Sequence, residues 1–349
     1  MSKLIFRLLW VWLGVWLLGS SAMASDGTLL VANRTGGSIS FIDLATRVEI
    51  ARVPVGPMIP HEVSVSPDGR LALTTEYGPD SNRGRHLILI DVESARVLAR
   101  IDLGANSRPH TALFLPDGQR AVVTMEDADQ LALVDLETKA VVRTYPTGGR
   151  EGHMVRLSPD GSRAYVTSRG AQGTLSVIFL DEERPPVVID TWSGAEGLDV
   201  TPDGREVWVI NRQAESISIV DTESLEIVAT INARPFAGRI DMGPDRRAIV
   251  PNGTSSEQVS QYLRLYDLES RAMVAEVPLR DGQPQAGNFG VLIQGGLAFA
   301  SDPGAGTIKI FNLDAMGAAE MLVTNHEGPD GMAWTPIRVN VMTEDANQQ

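Results

Sequence analysis

Three histidines recur at one place in three successive copies of a repeat: His61 ahead of Glu-Val-Ser-Val-Ser-Pro-Asp-Gly, His110 ahead of Thr-Ala-Leu-Phe-Leu-Pro-Asp-Gly, and His153 ahead of Met-Val-Arg-Leu-Ser-Pro-Asp-Gly. Each lies six residues before the turn proline, at Pro67, Pro116 and Pro159; the same offset holds Glu196 before Pro202, Gly238 before Pro244 and Asp330 before Pro336. Three neutral imidazoles flanked by carboxylates are a donor set for a first-row transition metal, and the carboxylates can ligate, serve as a base or orient a ring. A nitrogen-rich set of this kind prefers copper over zinc by affinity order. The expected cofactor is therefore a divalent transition metal, copper or zinc, on His61, His110 and His153, with Glu196 and Asp330 beside it.

The repeat itself predicts what positions these residues. A period of about 40 to 50 residues belongs to a solenoid or a propeller, and four short strands per unit choose the propeller. After each Pro-Asp-Gly turn comes an apolar strand such as Ala164–Thr167, then a polar turn and an alternating strand such as Thr174–Ile178, then a fourth strand. Counting units predicts an all-β, seven-bladed propeller of four-stranded blades. Leu29–Ala32, Ser38–Ile42 and Val48–Val53 supply three strands of one blade, and Gly331–Thr335, from the far end of the chain, supplies the fourth. The N- and C-terminal strands thus close the ring, and residues 25–349 are expected to form one domain.

Within each unit, steps of two from the repeated position run polar and then apolar, as in His61-Val63-Val65 and Glu196-Leu198-Val200. Residues spaced by two share a strand face, so the repeated positions begin the innermost strands and form a ring at one mouth of the central channel. In blade order the ring reads Asp330, His61, His110, His153, Glu196, Gly238 and Gly287, with the glycines leaving room for a small-molecule ligand. A second ring near the same mouth is predicted at Arg34, Glu76, Glu126, Arg169, Arg212, Asn252 and Asp302. Asn252 and Asp302 read as ordinary turn residues, whereas Arg169 and Arg212 suit a substrate carboxylate. Among the remaining histidines, His86 opens a third strand and reads as structural or solvent-facing, and His326 lies in the loop leading to Asp330, within reach of the mouth as an extra ligand.

Val31-Ala-Asn-Arg34, Tyr165-Val-Thr-Ser168 and Val209-Ile-Asn-Arg212, each followed by a polar turn and a strand ending in Asp, resemble the YVTN-type seven-bladed propeller repeat. The resemblance covers the chain from residue 25 onward and implies the fold, while that family spans surface-layer proteins, lactonase-like enzymes and propeller parts of metal and haem enzymes. Its plain repeat carries a small residue where this chain has histidines. Three functions follow: a metal-dependent oxidoreductase or hydrolase, a metal-free lactonase or cycloisomerase using His, Glu and Arg, or a non-catalytic scaffold for a protein partner.

Residues 1–24 are a different object. Lys3 and Arg7 precede the apolar run Leu8–Leu18, and Ala22-Met23-Ala24 ends it, the three parts of a secretory signal peptide. The run is short for a membrane span. Cleavage after Ala24 delivers a protein with no membrane span to the periplasm, where a protein partner is possible, and loss of the two cations takes the formal charge from −14 to −16. Such an acidic chain argues against nucleic acid as a partner. The absence of cysteine excludes disulfides, iron–sulfur clusters and covalently attached haem c, so redox chemistry must use His, carboxylates or a non-covalent cofactor.

Overall fold

The computed structural model describes residues 26–340 apart from 57–58, 234, 253–260, 281–289, 318–319 and 325–327. Seven antiparallel sheets of four strands follow one another around a ring, with a single turn of 3₁₀ helix at Glu126–Ala128. Blade 1 is the closing blade: Pro329–Thr335 is its innermost strand and pairs with Thr28–Asn33, which is followed by Ser38–Asp43 and Val48–Pro54. Blades 2 to 7 have inner strands at Val63–Val65, Pro109–Phe114, Gly152–Leu157, Ala195–Val200, Asp241–Met242 and Val291–Gln294.

Local chemistry explains the turns. In Ser66-Pro67-Asp68-Gly69 the Asp68 carboxylate accepts from the Ser66 hydroxyl at 2.7 Å, and Gly69 adopts a positive φ of 78° that a side chain would resist. Ser158 with Asp160, and Thr201 with Asp203, repeat the arrangement. Blade 7 lacks Pro-Asp-Gly; Gly295 and Gly296, at φ 57° and 78°, make a tight hairpin between Gln294 and Leu297 in its place.

The core lies between blades. Leu29 and Val31 of blade 1 pack with Phe299 and Ile308 of blade 7, and each of the other six junctions has its own cluster of buried aliphatic and aromatic side chains. Flat sheets stacked in this way leave the inner strands facing a common channel, which is where the histidines fall.

Candidate functional site

The inner strands of blades 3, 4 and 5 do not run straight into their blades. Each carries a bulge at the repeated position: register shifts between Pro109 and Ala112, between Gly152 and Val155, and between Ala195 and Leu198. His110, His153 and Glu196 sit inside those bulges. A bulge leaves a backbone group without a ladder partner and re-aims a side chain, and a hydroxyl on the second strand serves that group. The Thr111 amide donates to Thr124 Oγ1 at 3.0 Å, and the Met154 amide to Thr167 Oγ1 at 3.3 Å.

The same hydroxyls reach into the next blade. Thr75 donates to the His110 carbonyl at 2.8 Å, Thr124 to that of His153 at 2.8 Å, Thr167 to that of Glu196 at 2.6 Å, and Ser301 to that of Asp330 at 2.9 Å. His110, His153 and Glu196 are therefore each held by a bulge and latched by the preceding blade, whereas the His61 carbonyl accepts the Gly331 amide of blade 1 at 2.9 Å.

The structure brings His61, His110, His153, Glu196 and Asp330 together as the repeat predicted, all of them buried. His110 lies between the other two imidazoles, with ring centroids 5.0 Å from His61 and 3.9 Å from His153 and tilts of 43° and 45°. Tyr77 packs edge-on against His61 at 4.5 Å and His110 at 5.0 Å, and the Arg108 guanidinium lies 4.2 Å from the Tyr77 ring centre.

Charge surrounds the imidazoles unevenly. His61 Nδ1 is 3.3 Å from Asp330 Oδ2. His153 has a carboxylate on each side, Glu126 at 3.5 Å from Nδ1 and Glu196 at 3.4 Å from Nε2, close enough for ion pairing without hydrogen-bond alignment. Arg169 grips Glu126, and Arg212 stands 3.6 Å from Glu196. Burial pushes the His61 imidazole below its ordinary range, with Asp330 opposing. His110 is driven well down by burial and by His153 and His61. Burial would raise Glu126, but His153, Arg169 and Tyr77 hold it down at about 2. The same contest leaves Glu196 depressed, with His153 the chief opponent of burial, and raises the Tyr77 phenol to about 12 through burial and Glu126.

The second ring is only partly at the site. Glu126 joins it. Glu76 turns away to His86 Nδ1 at 2.6 Å and to Arg100, so His86 is structural. Asn252 accepts the Tyr262 amide and Asp302 caps the amides of Gly304 and Ala305, both ordinary turn duties. Gly287 and His326 lie outside the described residues.

Sequence reasoning missed Tyr77, Glu62 and Arg239. Arg239 Nη2 donates to Glu62 Oε1 at 2.6 Å and stands 3.9 Å from Asp330, although Glu62 and Arg239 belong to blades 2 and 6, nearly opposite in the ring. The signal was present one place along from the repeated position: Glu62, Thr111, Met154 and Arg239 all face the channel.

The comparisons with known proteins bear on the cofactor. The family described as cytochrome D1 heme domain has a model that matches residues 117–260. NirF of Stutzerimonas stutzeri is 22% identical over 243 residues, covering 61% of this chain and 59% of NirF, so the chain spans less than two thirds of that relative. YncE of Salmonella typhi, named as uncharacterized, is 21% identical over 66% of this chain and 67% of its own. Among solved structures, Kuenenia stuttgartiensis hydrazine synthase gives a TM-score of 0.65 at 20% identity, over 73% of this chain and 77% of that one. A functionally unknown protein from Desulfotomaculum acetoxidans gives 0.70 at 18%, over 89% and 99%. Structural likeness at that identity shows the propeller fold, which the YVTN-type resemblance implied.

The copper-or-zinc expectation does not survive. The matching family is defined by a heme, and among the described residues no three His, Asp or Glu side chains are arranged to hold a metal ion. The physical reason is the tilted packing of the rings, which sets imidazole faces against one another instead of aiming three nitrogens at one point. The absence of cysteine excludes only covalent attachment of haem c and leaves a non-covalent haem open, which is the cofactor class the matching family's description names in place of copper or zinc.

Proposed function

We propose that the histidine mouth holds a haem-type tetrapyrrole without covalent attachment, with His61 as the nitrogen donor to its iron. One observation carries this reading. His61 Nδ1 faces Asp330 while the buried Nε2 has no hydrogen-bond partner, so the carboxylate selects the tautomer and leaves the other nitrogen a lone pair. Burial favours the neutral imidazole that ligation needs. The match to a heme-domain family supports the class of ligand.

Other residues of the chain have distinct parts. Arg34, Arg169 and Arg212 suit the peripheral carboxylates of such a macrocycle, since guanidinium pairs with carboxylate through two parallel hydrogen bonds. His153 is oriented by a carboxylate on each side, Glu126 toward Nδ1 and Glu196 toward Nε2. His110 and Tyr77 wall the pocket against water. Bound there, the iron would supply electron transfer and an open coordination position. Signal cleavage after Ala24 would place this chemistry in the periplasm, where a small-molecule substrate or a protein partner would meet it at the mouth.

The test is a titration of the metal-free protein with hemin, read as the Soret band. A saturable shift at one equivalent that weakens at least about tenfold in His61→Ala, with the variant folded by circular dichroism, is the expected result. A wild-type protein that gives no saturable shift would end this reading.

A further inference from the structure

Beneath the histidines the channel opens into a cavity of about 300 Å³ that none of them lines. Its upper level is Glu62 with Arg239, and its walls descend through Leu113, Arg156 and Asp241. The Arg239–Glu62 pair spans the channel at that upper level, so the cavity is a compartment separate from the mouth.

Its polar groups are unevenly matched. Arg239 is 6% exposed and spends one nitrogen on Glu62, yet Nε and Nη1 are buried with no acceptor. Unpaired buried donors are costly, and these belong to a guanidinium on the cavity wall. Ser64 Oγ, on the same wall, also lacks a partner. Arg156 is engaged by Asp199 at 3.1 Å, and Asp199 also takes the Met242 amide at 2.8 Å, linking blades 5 and 6. Asp241 accepts the Ile293 amide at 2.6 Å through Oδ2 and lies at ion-pair distance from no cation of the described residues. Burial and neighbouring Asp199 push its carboxyl up to about 8. Two guanidiniums thus face three carboxylates, Glu62, Asp199 and Asp241, with spare donors at one end and an uncompensated carboxylate at the other.

We propose that this chamber binds an amino-acid-sized zwitterion, its carboxylate on the free donors of Arg239 and its ammonium against Asp241. Arg239 lies two residues before Asp241, which opens the blade 6 inner strand, a Cα separation of about 7 Å if the chain there is extended. That span favours a molecule whose charged ends are separated by a few methylenes over an α-amino acid. The apolar flank of Leu113 and Met154 would cover the methylenes. The site does not depend on what the histidine mouth holds.

Calorimetry at pH 9, where Asp241 is ionised and the ammonium of each probe keeps its proton, with β-alanine and γ-aminobutyrate as probes, and propionate and propylamine as single-ended controls, tests it. Saturable one-to-one binding of either zwitterion, at least about tenfold tighter than both controls, is expected. Asp241→Asn keeps an oxygen for the Ile293 amide and should fold, but should weaken binding by a further factor of about ten. Leu113→Trp should abolish binding by filling the chamber, and hemin titration should be unchanged in both variants. No saturable heat from either zwitterion, equal binding of propionate, or binding that persists in both variants would overturn the proposal, whatever the hemin titration shows.

Discussion

At the scale of residues, Glu126 is the hinge of the site's electrostatics. It is buried, yet His153 and Arg169 hold its carboxyl down, and removing its charge leaves the buried end of the Arg169 guanidinium without its ion-pair partner. Glu126→Gln should cost about 3 kcal/mol at pH 7, read by urea unfolding. Its pH dependence has a definite sign. The folded carboxyl titrates at about 2 against an ordinary 4.5, so its contribution is present above 4.5 and is lost as pH falls towards 2. The wild type and the variant should therefore converge in stability over that interval. Asp241 has the opposite sign: with a folded pKa of about 8 against 3.8, it favours folding below 3.8 and loses that advantage as pH rises through 8. Asp241→Asn should gain on the wild type between pH 5 and 9 in thermal melts.

At the scale of elements, the second-strand hydroxyls do two jobs at once. Thr124 takes the amide that the blade 3 bulge frees and donates to the His153 carbonyl in blade 4. Thr124→Val keeps the shape and removes both bonds, so it should cost about 2 kcal/mol. It should also move the nitrogen resonances of His153 more than those of His61, which lies two blades away. Close approach of inner strands makes a second case. A Cβ at Gly290 would sit 2.1 Å from the Asp330 carbonyl oxygen, so Gly290→Ala should destabilise by about 2 kcal/mol or more and disturb the Asp330–His61 pair. The blades and the ring of histidines were legible in the sequence because turn chemistry and a two-residue period are local. The bulges were not, because the extra residue carries no turn chemistry of its own and shows itself only in how the inner strand pairs with the second strand. Arg239 was illegible for another reason: its partner Glu62 is 177 positions away, and only ring closure puts them in contact.

At the scale of the whole molecule, each core cluster belongs to two blades, and the last junction is made by a strand from the other end of the chain. Residues 329–335 give blade 1 its inner strand and give the site Asp330. A chain ending at residue 328 should lose cooperative unfolding and the hemin response together, as circular dichroism melts and Soret titration would report. By contrast, Asp330→Asn should keep the fold, because Ser301 holds the backbone carbonyl of that residue, while weakening hemin binding several-fold.

That closing strand also sets an order of events in time. A ribosome has made all three histidines by residue 153 and must add well over a hundred more residues before the carboxylate that orients His61 exists. Until then His61 has no fixed tautomer and no completed channel around it. A ligand that depends on the Asp330-oriented His61 can thus be captured only once residue 330 has been made and the ring has closed, and a chain stalled before that residue carries His61, His110 and His153 without the carboxylate that orients the first of them.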